Sequence, residues 1–121
     1  MPRTTPLYLP DEIEDAMQRG AALSVSISGG KDSQALAIEL AKLHRQRQWT
    51  GPIFALHMDL GRAEWAHTPH HVEKIARENG LDLIVVRRPQ RDLVQEIQDR
   101  MATLRGTDKP FWPSSTQRYC T

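Results

Sequence analysis

Three short apolar runs, each followed by a stretch with helical spacing, sharply limit what this chain can fold into. Leu23–Ser28 (LSVSIS) alternates apolar and small polar residues, Ile53–Met58 (IFALHM) is nearly all apolar, and Leu83–Val86 (LIVV) is short and β-branched; each has the pattern of a strand. Four segments have helical character. Asp11–Arg19 has an acidic first turn, Ile13 and Met17 four apart, and Gly20 as a stop. Gln34–Arg47 carries an apolar stripe of Leu36, Leu40 and Leu43. Thr68-Pro69 predicts a hydroxyl N-cap with proline at the first helical position, opening a helix that runs to about Asn79 before Gly80. Asp92–Leu104 keeps Leu93, Ile97, Met101 and Leu104 in register. Helix and strand therefore alternate, which predicts an α/β three-layer sandwich with a short parallel sheet flanked by helices. The serines of the first run suit a buried parallel strand poorly, and they are expected to tuck under a helix.

The chain of 121 residues fits one domain, with a proline-containing N-terminal arm over residues 1–10 and a C-terminal loop segment over residues 107–121. Hydrophobic residues make up 39% and charged residues 26%, as in an ordinary globular protein. The net charge of +1 gives no support for a nucleic-acid partner. Residues 1–86 carry 9 basic and 11 acidic side chains, whereas residues 87–121 carry 7 and 4. The surplus around Arg87, Arg88 and Arg91 reads as a solvated strand end. Cys120 is the single cysteine, so an internal disulfide and a multi-thiolate metal site are excluded. The N-terminus lacks a signal-peptide pattern, and no run approaches the ~18 apolar residues of a membrane span. The expectation is a cytoplasmic protein without a membrane partner.

The chemically informative segment is Ser28-Gly29-Gly30-Lys31-Asp32-Ser33, between the first strand and the second helix. An open parallel sheet binds ligands at the carboxyl ends of its strands. Two glycines allow a sharp turn and a close backbone approach to a ligand. The N–H groups opening the next helix favour an anion, most simply a phosphate. Ser28 and Ser33 add hydroxyls and Lys31 a point charge. The Walker pattern does not fit, because Val25 stands where it needs glycine and Asp32 where it needs Ser or Thr.

What remains, S-G-G-x-D-S, resembles the PP-loop of the ATP pyrophosphatase superfamily. Members of that superfamily have a Rossmann-like fold, grip the β- and γ-phosphates of ATP and cleave at the α-phosphate. His57-Met58-Asp59-Leu60-Gly61 looks like the D-[TS]-G segment of the phosphoadenosine-phosphosulfate-reductase-like branch, with Leu60 in place of the hydroxyl residue. Glu64 is the candidate for an acidic residue that relatives carry slightly later. Ser115–Thr121 resembles the branch's R-x-C motif through Arg118 and Cys120. The likeness spans roughly residues 21–121.

The resemblance implies an adenine nucleotide as partner, with ATP and Mg²⁺ as cofactors. Ser28, Gly29, Gly30, Lys31, Asp32 and Ser33 would hold the phosphates, and Met58, Asp59 and Gly61 would lie beside the adenosine. Lys31 would stabilise departing pyrophosphate, Arg118 would pair with a second anion, and Asp32 or Asp59 would ligate the metal. The implied reaction is nucleotidyl transfer in sulfur metabolism or sulfur incorporation. Reductive cleavage of a phosphosulfate and non-catalytic nucleotide binding are the alternatives; the former is disfavoured by the intact loop and the missing C-terminal redox cysteine motif. Relatives continue beyond the R-x-C motif, so a truncated or split chain is expected, with an uncovered edge or face favouring a homodimer or a partner subunit. Three weaker signals have bland readings. His67, His70 and His71 near Glu73 read as surface histidines, Cys120 as a free or structural thiol, and Phe111 with Trp112 as packing under the loop.

Overall fold

The computed structural model describes residues 7–115. In chain order the elements are α1 (Asp11–Gln18), β1 (Leu23–Ser26), α2 (Lys31–Gln46), β2 (Ile53–Asp59), a 3-10 turn (Gly61–Ala63), α3 (Thr68–Glu78), β3 (Asp82–Arg87) and α4 (Leu93–Thr103). The strands form one parallel sheet in the order β1-β2-β3. Leu23 pairs with Ile53 and Ser26 with Leu56, while Phe54 pairs with Asp82 and Asp59 with Arg87. This is the expected Rossmann-like α/β fold.

The core lies between the sheet and helices α2 and α3, which also touch each other. Period-2 alternation decides which strand residues face it. Val25, Ile27 and Ala55 are buried and meet Ala37, Leu40 and Ala41 of α2 and Val72, Ile75 and Ala76 of α3. Each fully buried valine or isoleucine among them contributes about 1.5–3 kcal/mol. The serines behave otherwise than expected. Ser24 and Ser26 are exposed and face away from the helices, because Val25 and Ile27 take the inward positions. Met58, Ile84 and Val86 are likewise 44–47% exposed.

Two helical boundaries also differ. α2 begins at Lys31, three residues before the expected Gln34, and its buried stripe is Ala37, Leu40 and Ala41, with Leu36 exposed. Small alanines let α2 lie close to the sheet, and that rotates Leu36 outward. Thr68 is the first residue of α3, whose N-cap is His67. Its side chain is buried instead of capping.

Three helices stop in the same way. After α1, Gly20 N–H bonds Met17 C=O and Ala21 N–H bonds Ala16 C=O. After α3, Gly80 and Leu81 bond Arg77 and Ala76. After α2, Gln48 and Trp49 bond Arg45 and His44, with Gln48 at φ 53°. These paired bonds are Schellman stops, and each releases the chain toward the next strand. Trp49 and Leu81, which follow two of the stops, are buried. Residues 107–115 form neither helix nor strand.

Candidate functional site

Parallel strands place the exits of β1, β2 and β3 at one edge of the sheet, so the segments 27–30, 60–67 and 88–92 gather there. The first of these is the glycine loop. Gly29 has φ 94°, and a Cβ there would sit 3.0 Å from Thr68 Cγ2 at the start of α3. The position needs glycine for its backbone and for its neighbour. Ser28 N–H donates to Ser33 Oγ (3.1 Å), the two hydroxyls lie 3.2 Å apart, and Ser33 Oγ donates to Gly30 C=O (3.1 Å). Gly30 N–H reaches Ser28 Oγ at 3.4 Å. Ser33 therefore stitches the loop shut across its own helix turn.

That stitching leaves α2 open at its N-terminus. Gly30 is the N-cap and no side chain caps this end. The first N–H groups of a helix lack intrahelical partners, and the dipole makes them attractive to anions. Lys31 and Asp32, expected in the loop, occupy this first turn. Their side chains are 92% exposed and paired with each other at 2.8 Å. Such a pair is weak in water, so Lys31 is free to turn to a phosphate and Asp32 to a cation.

Asp59, at the end of β2, accepts from Gly61 N–H (2.8 Å) and pairs with Arg87 of β3 (3.2 Å). Gly61 has φ 68°, and a Cβ there would lie 2.5 Å from Asp92 Cβ. Asp92 links this turn to α4. It receives Arg62 through both Nε (2.6 Å) and Nη2 (3.0 Å), and it caps α4 by accepting from Gln95 N–H (2.9 Å). The Arg62 hydrogen bond, reinforced by the Gln95 N–H, holds the Asp92 carboxyl well below the usual carboxylate range, and Asp92 in turn raises the Arg62 guanidinium. The side-chain hydrogen bond from Gln95, followed by that from Arg91, lowers Asp99.

The three arginines at the end of β3 and just beyond it are paired with carboxylates. Arg88 and Arg91 both pair with Glu96, Arg91 also with Asp99, and Arg87 with Asp59. A cleft of about 100 Å³ lined by Asp59, Gly61, Arg87, Arg88, Arg91 and Asp92 runs beside them.

The structure thus collects Ser28, Gly29, Gly30, Lys31, Asp32, Ser33, Asp59 and Gly61 along one edge. Met58 is exposed on the face turned from the helices. Arg118 and Cys120 lie outside the described residues. Among the described residues no group of three or more His, Cys, Asp or Glu could hold a metal ion, His67, His70 and His71 included. A metal here would depend on phosphate oxygens and water for most of its ligands, and Asp32 is an exposed carboxylate that fits such a minor share. Trp112 is 66% exposed instead of packed, and meets Phe111 edge to face. No helix among the described residues is long and apolar enough to cross a membrane.

Two participants had no assigned role in the sequence reading. Asp92 is one, legible only as a helix N-cap. The other is His57, buried at 2% exposure with Nδ1 on Ile27 C=O (2.7 Å) and Nε2 facing Glu64 (3.3 Å). A histidine at an inward position of an apolar strand was the available signal for it.

A search of curated proteins finds no match. A family model described as a PP-loop domain matches residues 8–105. That span contains the glycine loop, all three strands and α4, and the chain belongs to the PP-loop domain family, whose members bind ATP.

Proposed function

We propose that this chain binds ATP with Mg²⁺ at Ser28–Ser33 and transfers its adenylyl group to an acceptor, within the phosphosulfate-reductase-like branch that serves sulfur metabolism or sulfur incorporation. The observation that carries the reading is the uncapped N-terminus of α2, held open behind a loop whose Gly29 stands at φ 94°. Loop amides, the Ser28 hydroxyl and Lys31 receive the β- and γ-phosphates. The acceptor attacks the α-phosphorus, the bond from that phosphorus to the bridging oxygen breaks, and pyrophosphate leaves. Lys31 and the amides of the α2 first turn then stabilise the charge growing on that leaving group. Asp32 would hold a Mg²⁺ bound with the nucleotide, and such an ion would supply further charge neutralisation. Met58, Asp59 and Gly61 are assigned to the adenosine on the branch resemblance alone. Arg118 is assigned to a second anion on that resemblance alone.

One observation favours a second reading, nucleotide binding without catalysis by this chain alone. Apart from Asp32, which is assigned to the metal, the carboxylates described at this edge are engaged: Asp59 by Gly61 and Arg87, Asp92 by Arg62 and Gln95, Glu64 by His57, and Glu96 by Arg88 and Arg91. None is free to deprotonate an acceptor. The two readings separate in one assay. Incubation with ATP, Mg²⁺ and candidate sulfur-containing acceptors releases pyrophosphate if the chain is a transferase, and none if it only binds.

A further inference from the structure

Burying an imidazole is costly unless its nitrogens are bonded. His57 occupies an inward position of β2 that an aliphatic side chain would fill at no such cost, and its polar atoms are both used. A carbonyl oxygen only accepts, so Nδ1 donates to Ile27 C=O at 2.7 Å. Nε2 lies 3.3–3.4 Å from the two carboxylate oxygens of Glu64, which is itself nearly buried.

The place of that first bond is what matters. The β1-β2 register ends at Ser26 and Leu56, and Ile27 N–H still donates to Leu56 C=O at 2.8 Å. Beyond it the backbone turns into the glycine loop, and the next acceptor, Ile27 C=O, is taken by the His57 ring. Ile27 C=O and Ser28 N–H belong to one planar peptide unit. His57 holds its oxygen, and Ser33 Oγ holds its N–H. The plane from which the loop departs is therefore fixed at both ends. Through Glu64 the same ring is joined to the segment leading into α3, whose Thr68 abuts Gly29.

We propose that His57, oriented by Glu64, is a positioning residue for the phosphate loop: it extends the β1-β2 ladder by one side-chain bond and so sets the direction in which the Ser28–Gly30 backbone meets the nucleotide. The proposal deepens the ATP-binding reading and rests on it for its functional consequence. Small misplacement of a preorganised site is expensive, and loss of one such bond is expected to weaken nucleotide binding about tenfold.

The test compares His57→Leu with His57→Asn, whose side-chain amide can donate from the place of Nδ1. Backbone hydrogen exchange is followed without nucleotide, and affinity for ATP with Mg²⁺ is measured by calorimetry. The expected result is faster exchange at residues 28–30 in His57→Leu while Val72–Ala76 of α3 keeps its protection, ATP binding weakened about tenfold, and both effects substantially restored in His57→Asn. Glu64→Gln is expected to shift loop exchange in the same direction but less. Loop exchange unchanged in His57→Leu, or a loss spread evenly over the molecule and equal in both variants, overturns the proposal. If the loop responds as expected but wild-type protein binds no ATP, the positioning role stands and the nucleotide reading falls.

Discussion

Ser28 and Ser33 close the phosphate loop on itself: the Ser28 N–H donates to the Ser33 hydroxyl at 3.1 Å, and the same hydroxyl donates to Gly30 C=O. Replacing Ser33 by alanine removes both bonds while keeping a good helix former in the first turn of α2. Ser33→Ala is expected to cost about 1 kcal/mol in urea unfolding. It is expected to weaken ATP binding by more than that loss suggests, because the loop amides lose their common anchor.

Gly61 presses against Asp92. With φ 68° and a Cβ position 2.5 Å from Asp92 Cβ, Gly61→Ala combines backbone strain with overlap. The expected loss is at least about 2 kcal/mol. It should appear as a lower midpoint in chemical denaturation, together with increased exchange at the Gln95 amide that Asp92 caps.

Gln48 ends α2 in the left-handed region, where side chains other than glycine are disfavoured. Gln48→Gly is expected to raise stability by about 0.5–1 kcal/mol, measured by thermal or urea melts, with ATP binding unchanged.

The Arg62–Asp92 pair makes stability depend on acid. The Asp92 carboxyl is held below its ordinary value of 3.8 in the folded chain. Its contribution is therefore fully present above that value, and it declines as pH falls through the lower folded one. Asp92→Asn retains an N-cap for α4 but loses the charge. The stability difference between wild type and Asp92→Asn is expected to be largest near neutral pH and to shrink below about pH 4. Added salt should reduce it, since the pair is partly exposed.

Much of the fold was legible because its signals are local. Gly20 and Gly80 mark two of the three Schellman stops, and the three apolar runs became the three strands. Gln48 carries no such mark, because any residue can be forced into that conformation by the contacts around it. Leu36 was misread as core because a leucine is more hydrophobic than Ala37 or Ala41, whereas close helix–sheet approach selects the small residues. At the site, Gly29 and Gly30 announced a loop by type and spacing alone. The partners of Asp92 and His57 lie thirty residues away in sequence, at Arg62 and Ile27, and pairing over such a distance follows only from the sheet order.

The most direct test is calorimetric titration of the intact chain with ATP and Mg²⁺, alongside Lys31→Ala and Gly29→Ala. Saturable binding to wild type is predicted. Lys31→Ala is expected to weaken it about tenfold or more, as a charge-assisted phosphate contact is lost, and Gly29→Ala to weaken it through strain at φ 94°. Wild-type protein that takes up no ATP, or a Lys31→Ala variant with unaltered affinity, would contradict the assignment of Ser28–Ser33 as the nucleotide site.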